Sequence, residues 1–274
     1  MPLLADIPGY RVEDNKSSLI LMNISMQERD RAGWITLDRP PLNVLSLPLL
    51  AEFRELLRAC AASDSIDLVV IRGEGGRAFS AGVDIKDHTR AKVPEMLEAV
   101  HGVIRDLLAL PQVTIAAVNG ACLGGGLELA SACDFIVATE ESVFATPEIN
   151  VGCYPPVALA RFPGQIGYRR AAEMILTGRR FTAAEALSIG LITRVVPAPE
   201  LDGALEALRR DLGGKSQAVL RIALRGLRQA ALKDFPEALK RSEEIYLEEL
   251  LETEDVEEGV QAFLEKRAPR WSHR

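Results

Sequence analysis

The chain has 274 residues, 48% hydrophobic, 26% charged and 5% aromatic, which is enough for a substantial core and excludes disordered, collagenous and coiled-coil readings. Lysine and arginine number 32 against 39 acidic residues, and the resulting net charge of −7 leaves no electrostatic footprint for nucleic acid. The four cysteines, Cys60, Cys122, Cys133 and Cys153, are too sparse for a disulfide framework, and His88, His101 and His273 show no zinc-ligand spacing, so no metal is expected.

Residues Met1 to Gln27 carry no basic stretch followed by an apolar run, so a cytoplasmic location without a membrane partner is the expectation. Leu19 to Met26 and Gly33 to Leu37 predict a strand hairpin, with the charged Gln27-Glu28-Arg29-Asp30-Arg31 as its turn. Ser46 offers a helix N-cap, and Leu50, Phe53, Leu57 and Cys60 recur at helical spacing up to about Ala61. Leu68 to Ile71 is a short β-branched run of the kind buried in a parallel sheet. Met96, Val100, Val103, Ile104 and Leu107 mark an amphipathic helix that ends before Pro111. Val113 to Val118 and Phe135 to Ala138 are two further core strands, and the glycine cluster between them breaks what would otherwise resemble a membrane span. Strand and helix alternate as in parallel α/β folds. From Leu201 onward only helical periodicities remain, with Leu239, Ser242, Ile245 and Tyr246 as one stripe and Val256, Gly259, Val260, Phe263, Leu264 and Arg267 as another. The chain thus divides into an α/β core over residues 1–200 and a helical region over 201–274.

Two familiar motifs fail. Gly214-Lys215-Ser216 lacks the earlier glycine of a P-loop, because Arg209 stands there, and Ala78 replaces the first glycine of a nucleophile elbow. The informative stretch is Val118-Asn119-Gly120-Ala121-Cys122-Leu123-Gly124-Gly125-Gly126-Leu127-Glu128-Leu129, a strand running through glycines into a helix. A helix start of this kind presents unpaired N–H groups to a developing oxyanion. Phe79-Ser80-Ala81-Gly82-Val83-Asp84-Ile85 is a second small-residue loop after a buried strand. Either loop alone is as well explained by tight packing. Glu128, three residues past Gly125, projects on the same helix face, and Glu148 lies in an apolar loop where a carboxylate must be paired, neutral or functional. Two carboxylates beside two such loops point to acid–base chemistry on water and an activated carbonyl.

The segments AFSAGVDIKDH (78–88), VNGACLGGGLELASACD (118–134), FATPEINVG (144–152), LTGRRFTAAEALSIGLITRVV (176–196) and AFLEKR (262–267) together resemble the crotonase, or enoyl-CoA hydratase/isomerase, superfamily. The resemblance runs from about Trp34 to Trp271. It implies an α/β spiral of ββα units with a helical C-terminal region, no permanently bound cofactor, and coenzyme A as part of a thioester substrate. It further implies self-assembly into a trimer or a dimer of trimers. By matched position, Val83 and Gly125 would give the oxyanion-hole N–H groups, Glu148 would exchange the carbon-bound proton, and Glu128 would hold the water. Ala81, Asp84, Ile85 and Lys86 would line the coenzyme A site, with Phe263 and Lys266 closing over it.

Within the family, linear-chain hydratases show P-G-x-G-G after the second glutamate, whereas this chain has Gly152-Cys153-Tyr154-Pro155-Pro156-Val157-Ala158, and proline has no N–H to offer a water. That stretch, DIKDH and the C-terminal segment from Ile245 to Trp271 are more similar to hydratases of cyclohexa-1,5-diene-1-carbonyl-CoA, which implies a pocket for a flat ring walled by Tyr154, Pro156 and Val157. Alternatives are a linear enoyl-CoA hydratase, an isomerase, or an RNA-binding or structural relative. Both glutamates speak against the isomerase, and the acidic charge speaks against RNA binding.

Overall fold

A computed structural model describes residues 10–13, 16–20 and 23–274, the first two stretches as backbone. The described residues open with four antiparallel strands, β1 (Tyr10–Glu13), β2 (Lys16–Ile20), β3 (Ile24–Arg29) and β4 (Ala32–Leu37). The charged segment expected as a turn therefore belongs mostly to β3. Gln27, Glu28 and Arg29 pair with Trp34, Gly33 and Ala32, and only Asp30 and Arg31, both at positive φ, make the reversal. Charged side chains fit β3 because part of the strand faces solvent. Leu21 and Met22, inside the expected first strand, lie outside the described residues.

After α1 (Leu47–Ala62) the chain repeats one motif. Strand β5 (Leu68–Gly73) joins the first sheet, β6 (Ala78–Ser80) starts a second sheet, and α2 (Val93–Ala109) returns. Strands β7 (Val113–Val118) and β8 (Ala121–Leu123) lead to α3 (Gly125–Ser131), and β9 (Phe135–Thr139) and β10 (Val143–Ala145) follow. Next come α4 (Pro156–Ile166), α5 (Tyr168–Thr177), β11 (Phe181–Thr182), α6 (Ala183–Ser188) and β12 (Arg194–Val196). The large sheet has the order β1-β2-β3-β4-β5-β7-β9-β12, parallel from β4 onward. The small sheet has the order β11-β10-β8-β6. Each turn of this spiral gives one strand to each sheet and then a helix, the ββα unit that the resemblance implies.

Burial alternates along the large sheet. Val69 and Ile71 of β5 and Ala116 and Val118 of β7 face a core shared with α1 and α2, whereas Leu68, Val70, Val113, Ile115 and Ala117 face a second core. Both faces are covered, which is why these strands read as continuous apolar runs. The second core is closed by Leu205 of α7 (Leu201–Gly213) and Leu224 of α8 (Gln217–Ala231). Helix α9 (Phe235–Glu248) buries Phe235 together with Leu239, Ser242 and Tyr246 of the predicted stripe, whose Ile245 is half-buried, and α10 (Glu254–Leu264) buries Val256, Gly259, Val260 and Ala262. Helix α10 stops before Arg267, and Phe263 and Leu264 are exposed, so the predicted stripe is buried only along its first half. Among the described residues, no helix is long and apolar enough to cross a membrane.

Candidate active site

The two small-residue loops meet at the ends of β6 and β8. Val83 bridges to Leu45, whose N–H bonds Gly82 O at 2.8 Å and whose carbonyl accepts from Asp84 N at 3.1 Å. Because the bridge uses the groups on either side of Val83, the Val83 N–H is turned the other way. Gly125 opens α3, where a first-turn amide has no acceptor within its helix. A β-carbon on Gly125 would sit 3.6 Å from Val83 N and 3.9 Å from Glu128 Oε2, which puts both amides and one carboxyl group together.

Glu148 arrives from the other side, in a 3₁₀ turn over Pro147–Val151. Its approach depends on Gly124, which has φ 53° and whose β-carbon would stand 2.5 Å from Glu148 Oε1. Both carboxyl groups line one cavity of about 300 Å³. Its other walls include Met96, Leu97 and Val100 of α2, Val151, Tyr154, Pro155, Pro156, and Tyr246 of α9. Tyr154 and Tyr246 meet edge to face with ring centroids 5.0 Å apart, and the Tyr154 hydroxyl donates to Ser242 O.

Burial governs the charge state here. Glu128 is 3% exposed, and burial raises its pKa, opposed by an amide hydrogen bond of 2.9 Å from Ala158 N. Burial and the neighbouring Glu128 charge push Glu148 up to about 8. Glu148 Oε2 is buried without a hydrogen-bond partner. A neutral carboxyl group and a second, amide-bound carboxyl group in one apolar cavity are equipped to exchange a proton with carbon and with water separately.

Of the residues singled out in the sequence, Glu128, Glu148, Val83, Gly125, Ala81, Ile85, Tyr154, Pro156 and Phe263 line this cavity. Four others stand apart from it. Asp84 caps the 3₁₀ turn Ile85–Asp87 by accepting from Lys86 N, and Lys86 itself is exposed. Lys266 is exposed beyond the end of α10, at φ 55°. Val157, expected on the pocket wall, is fully buried in the core instead, because as the second residue of α4 its side chain turns away while its amide reaches towards Glu128. The loss of an amide at Pro156 is also smaller than the sequence implies. Proline at the first helical position gives up an N–H with no helical acceptor, and the following amides of α4 serve Glu128. Sequence reasoning assigned no role to His101 and Tyr246, which also line the cavity. For His101 the available signal was a polar residue inside an apolar helical stripe. Among the described residues, no group of three or more His, Cys, Asp or Glu is placed to hold a metal ion.

Residues 29–274 match the enoyl-CoA hydratase/isomerase family. Cyclohexa-1,5-dienecarbonyl-CoA hydratase of Thauera aromatica is 33% identical over 240 residues, covering 88% of this chain and 92% of that protein. YngF of Bacillus subtilis, named as an enoyl-CoA hydratase/isomerase, is 38% identical over 245 residues, covering 88% and 94%. The crystal structure of an enoyl-CoA hydratase from Mycobacterium avium subsp. paratuberculosis superposes with a TM-score of 0.83 at 27% identity, covering 92% of this chain and all of that one. With the spiral fold, the paired loops and these matches together, the chain belongs to the enoyl-CoA hydratase/isomerase family of the crotonase superfamily.

Proposed function

We propose that the protein is a hydratase that adds water to an α,β-unsaturated acyl-CoA thioester, with cyclohexa-1,5-diene-1-carbonyl-CoA as its substrate and 6-hydroxycyclohex-1-ene-1-carbonyl-CoA as product, the hydroxyl group joining the β-carbon and the hydrogen the far end of the conjugated diene. The observation that carries this reading is the pair Glu128 and Glu148 facing one apolar cavity beside the Val83 and Gly125 amides. The thioester oxygen takes hydrogen bonds from the two amides, which stabilise the negative charge that develops there. The water oxygen bonds to the β-carbon as Glu128 accepts a water proton. The π electrons move toward the thioester, and as they return the Glu148 carboxyl group gives its proton to the carbon at the far end of the diene, which leaves a double bond beside the thioester. One proton leaves water and one reaches carbon, so the sum is addition of H₂O.

Coenzyme A would enter past Ala81, Ile85 and Phe263, with the exposed Lys86 and Lys266 available to its phosphates. The choice of a ring rests on the rigid wall of Tyr154, Tyr246, Pro155 and Pro156, and on the name of the Thauera aromatica relative. Steady-state assays with the cyclic dienoyl-CoA and crotonyl-CoA side by side test it. The expected kcat/KM for the cyclic thioester is at least about tenfold higher, or ~1.4 kcal/mol in transition-state preference. Equal or better activity on crotonyl-CoA would instead assign a linear-chain enoyl-CoA hydratase.

A further inference from the structure

His101 is fully buried on the cavity-facing side of α2. Its Nδ1 lies 2.5 Å from Glu243 Oε1 of α9, and Arg105 Nη1 is 3.8 Å from the same carboxylate oxygen. The hydrogen bond to His101 holds the Glu243 pKa below the ordinary carboxylate range, so Glu243 is an anion that can only accept. The proton of a neutral imidazole therefore sits on Nδ1, and Nε2 keeps a lone pair. Nε2 is buried and has no hydrogen-bond partner. Burying a polar atom without a partner is unfavourable. A ligand that pairs with it removes that cost.

The reaction supplies a partner. A water placed to attack with an oxygen lone pair has two O–H groups to satisfy in a cavity whose walls are largely apolar. Glu128 accepts one of them. Glu148, neutral below about pH 8, keeps its proton for carbon. The Tyr154 hydroxyl donates to Ser242 O and His88 Nδ1 bonds Asp84 O; of the buried cavity-wall atoms left without a partner among the described residues, Glu148 Oε2, the Tyr246 hydroxyl and His101 Nε2, the imidazole nitrogen is the strongest acceptor. His101 and Glu128 line the same cavity.

We propose that His101, fixed by Glu243, is a further catalytic residue whose Nε2 accepts the second hydrogen bond of the attacking water and of the hydroxyl group that this water becomes. The inference rests on the hydratase reading. Two reactions of the same protein separate the two claims. Exchange of the α-hydrogen of a saturated acyl-CoA with D₂O needs Glu148 and the oxyanion amides but no nucleophilic water, whereas hydration needs all of them.

In the full chain, His101→Phe should lower kcat for hydration by about 10²-fold while KM and α-hydrogen exchange stay within about threefold. His101→Gln, whose amide oxygen can accept, should recover part of the loss. Glu243→Gln keeps a partner for Nδ1 with little change in shape, and should lower hydration by about tenfold with exchange retained, which provides the test where His101→Phe does not fold. Hydration within threefold of the parent in both His101→Phe and Glu243→Gln overturns the inference alone. So does an equal fall of hydration and exchange, which marks a purely structural role. A parent protein that exchanges the α-hydrogen but hydrates neither thioester overturns the hydratase reading, and this inference with it.

Discussion

Glu148 is the residue whose surroundings make the sharpest demands. Its pKa rises from the ordinary 4.5 to about 8 because the carboxyl group is buried and Glu128 lies near it. A donor to carbon must be protonated, so kcat/KM for hydration is expected to fall about tenfold per pH unit above about 8, and the reverse dehydration should gain over the same range. The sign for stability follows from the same shift. The folded protein holds a proton that the unfolded chain releases above about 4.5, so this group's stabilising contribution is complete below that pH and is lost as pH rises through about 8. Urea unfolding of the parent and of Glu148→Gln at pH 5 and pH 8 would check it, since the parent should weaken between the two pH values more than the variant. Both Glu148→Gln and Glu128→Gln should lower hydration by roughly 10²–10⁴-fold. A Glu128→Gln variant with near-parental hydration would remove that residue from the water. These two acids were legible in the sequence because each is a charge among apolar or glycine neighbours. His101 was not, because its partner Glu243 lies 142 residues further along and only the packing of α9 on α2 brings them together.

At the scale of elements, long apolar periodicities were readable and short connecting strands were not. Val113–Val118 is found as the sequence predicts it, since six consecutive buried residues leave no ambiguity about a central strand. Strands β6, β8 and β10 have three residues each, too short for a hydrophobic period to show, so the second sheet was invisible without its partners. The packing of α10 was equally hidden, although its stripe was seen. A β-carbon on Gly259 would lie 2.4 Å from the backbone of Val151, the last residue of the turn that carries Glu148. Helix α10 therefore bears directly on the position of the acid. Gly259→Ala forces backbone apart and should cost about 1–3 kcal/mol of stability despite alanine's better helix propensity, as read by a lower denaturation midpoint. Hydration should fall more than thermal stability alone explains at a temperature where the variant is fully folded. An unchanged midpoint and unchanged kcat would show that α10 can shift without moving Glu148.

For the whole molecule, the distribution of apolar surface points to association. Helix α8 buries Leu224 against the large sheet yet leaves Val219, Ile222 and Leu227 at 63%, 61% and 70% exposure. Three large apolar side chains on one helix are more than scattered surface residues usually supply. Tyr168 and Leu176 of α5 are 74% and 65% exposed, so apolar surface appears on a second element as well. Two such elements are what a closed ring needs if each copy is to meet two neighbours. We propose that the chain forms trimers or dimers of trimers, and sedimentation equilibrium should report three or six copies. The double variant Ile222→Glu with Leu227→Glu should shift the protein towards single chains, because burying two carboxylates in an apolar contact is strongly unfavourable. Neither Ile222 nor Leu227 lines the cavity, so a change in hydration in this variant would report on assembly and not on a lost site group. Truncation after Gly213 is a different perturbation, since it strips Glu243, Tyr246 and Phe263 from the site and Leu224 from the second core, and should give an inactive, aggregating product. A parent protein that sediments as a single chain at working concentration would overturn the assembly, and it would leave the exposed face of α8 for another partner.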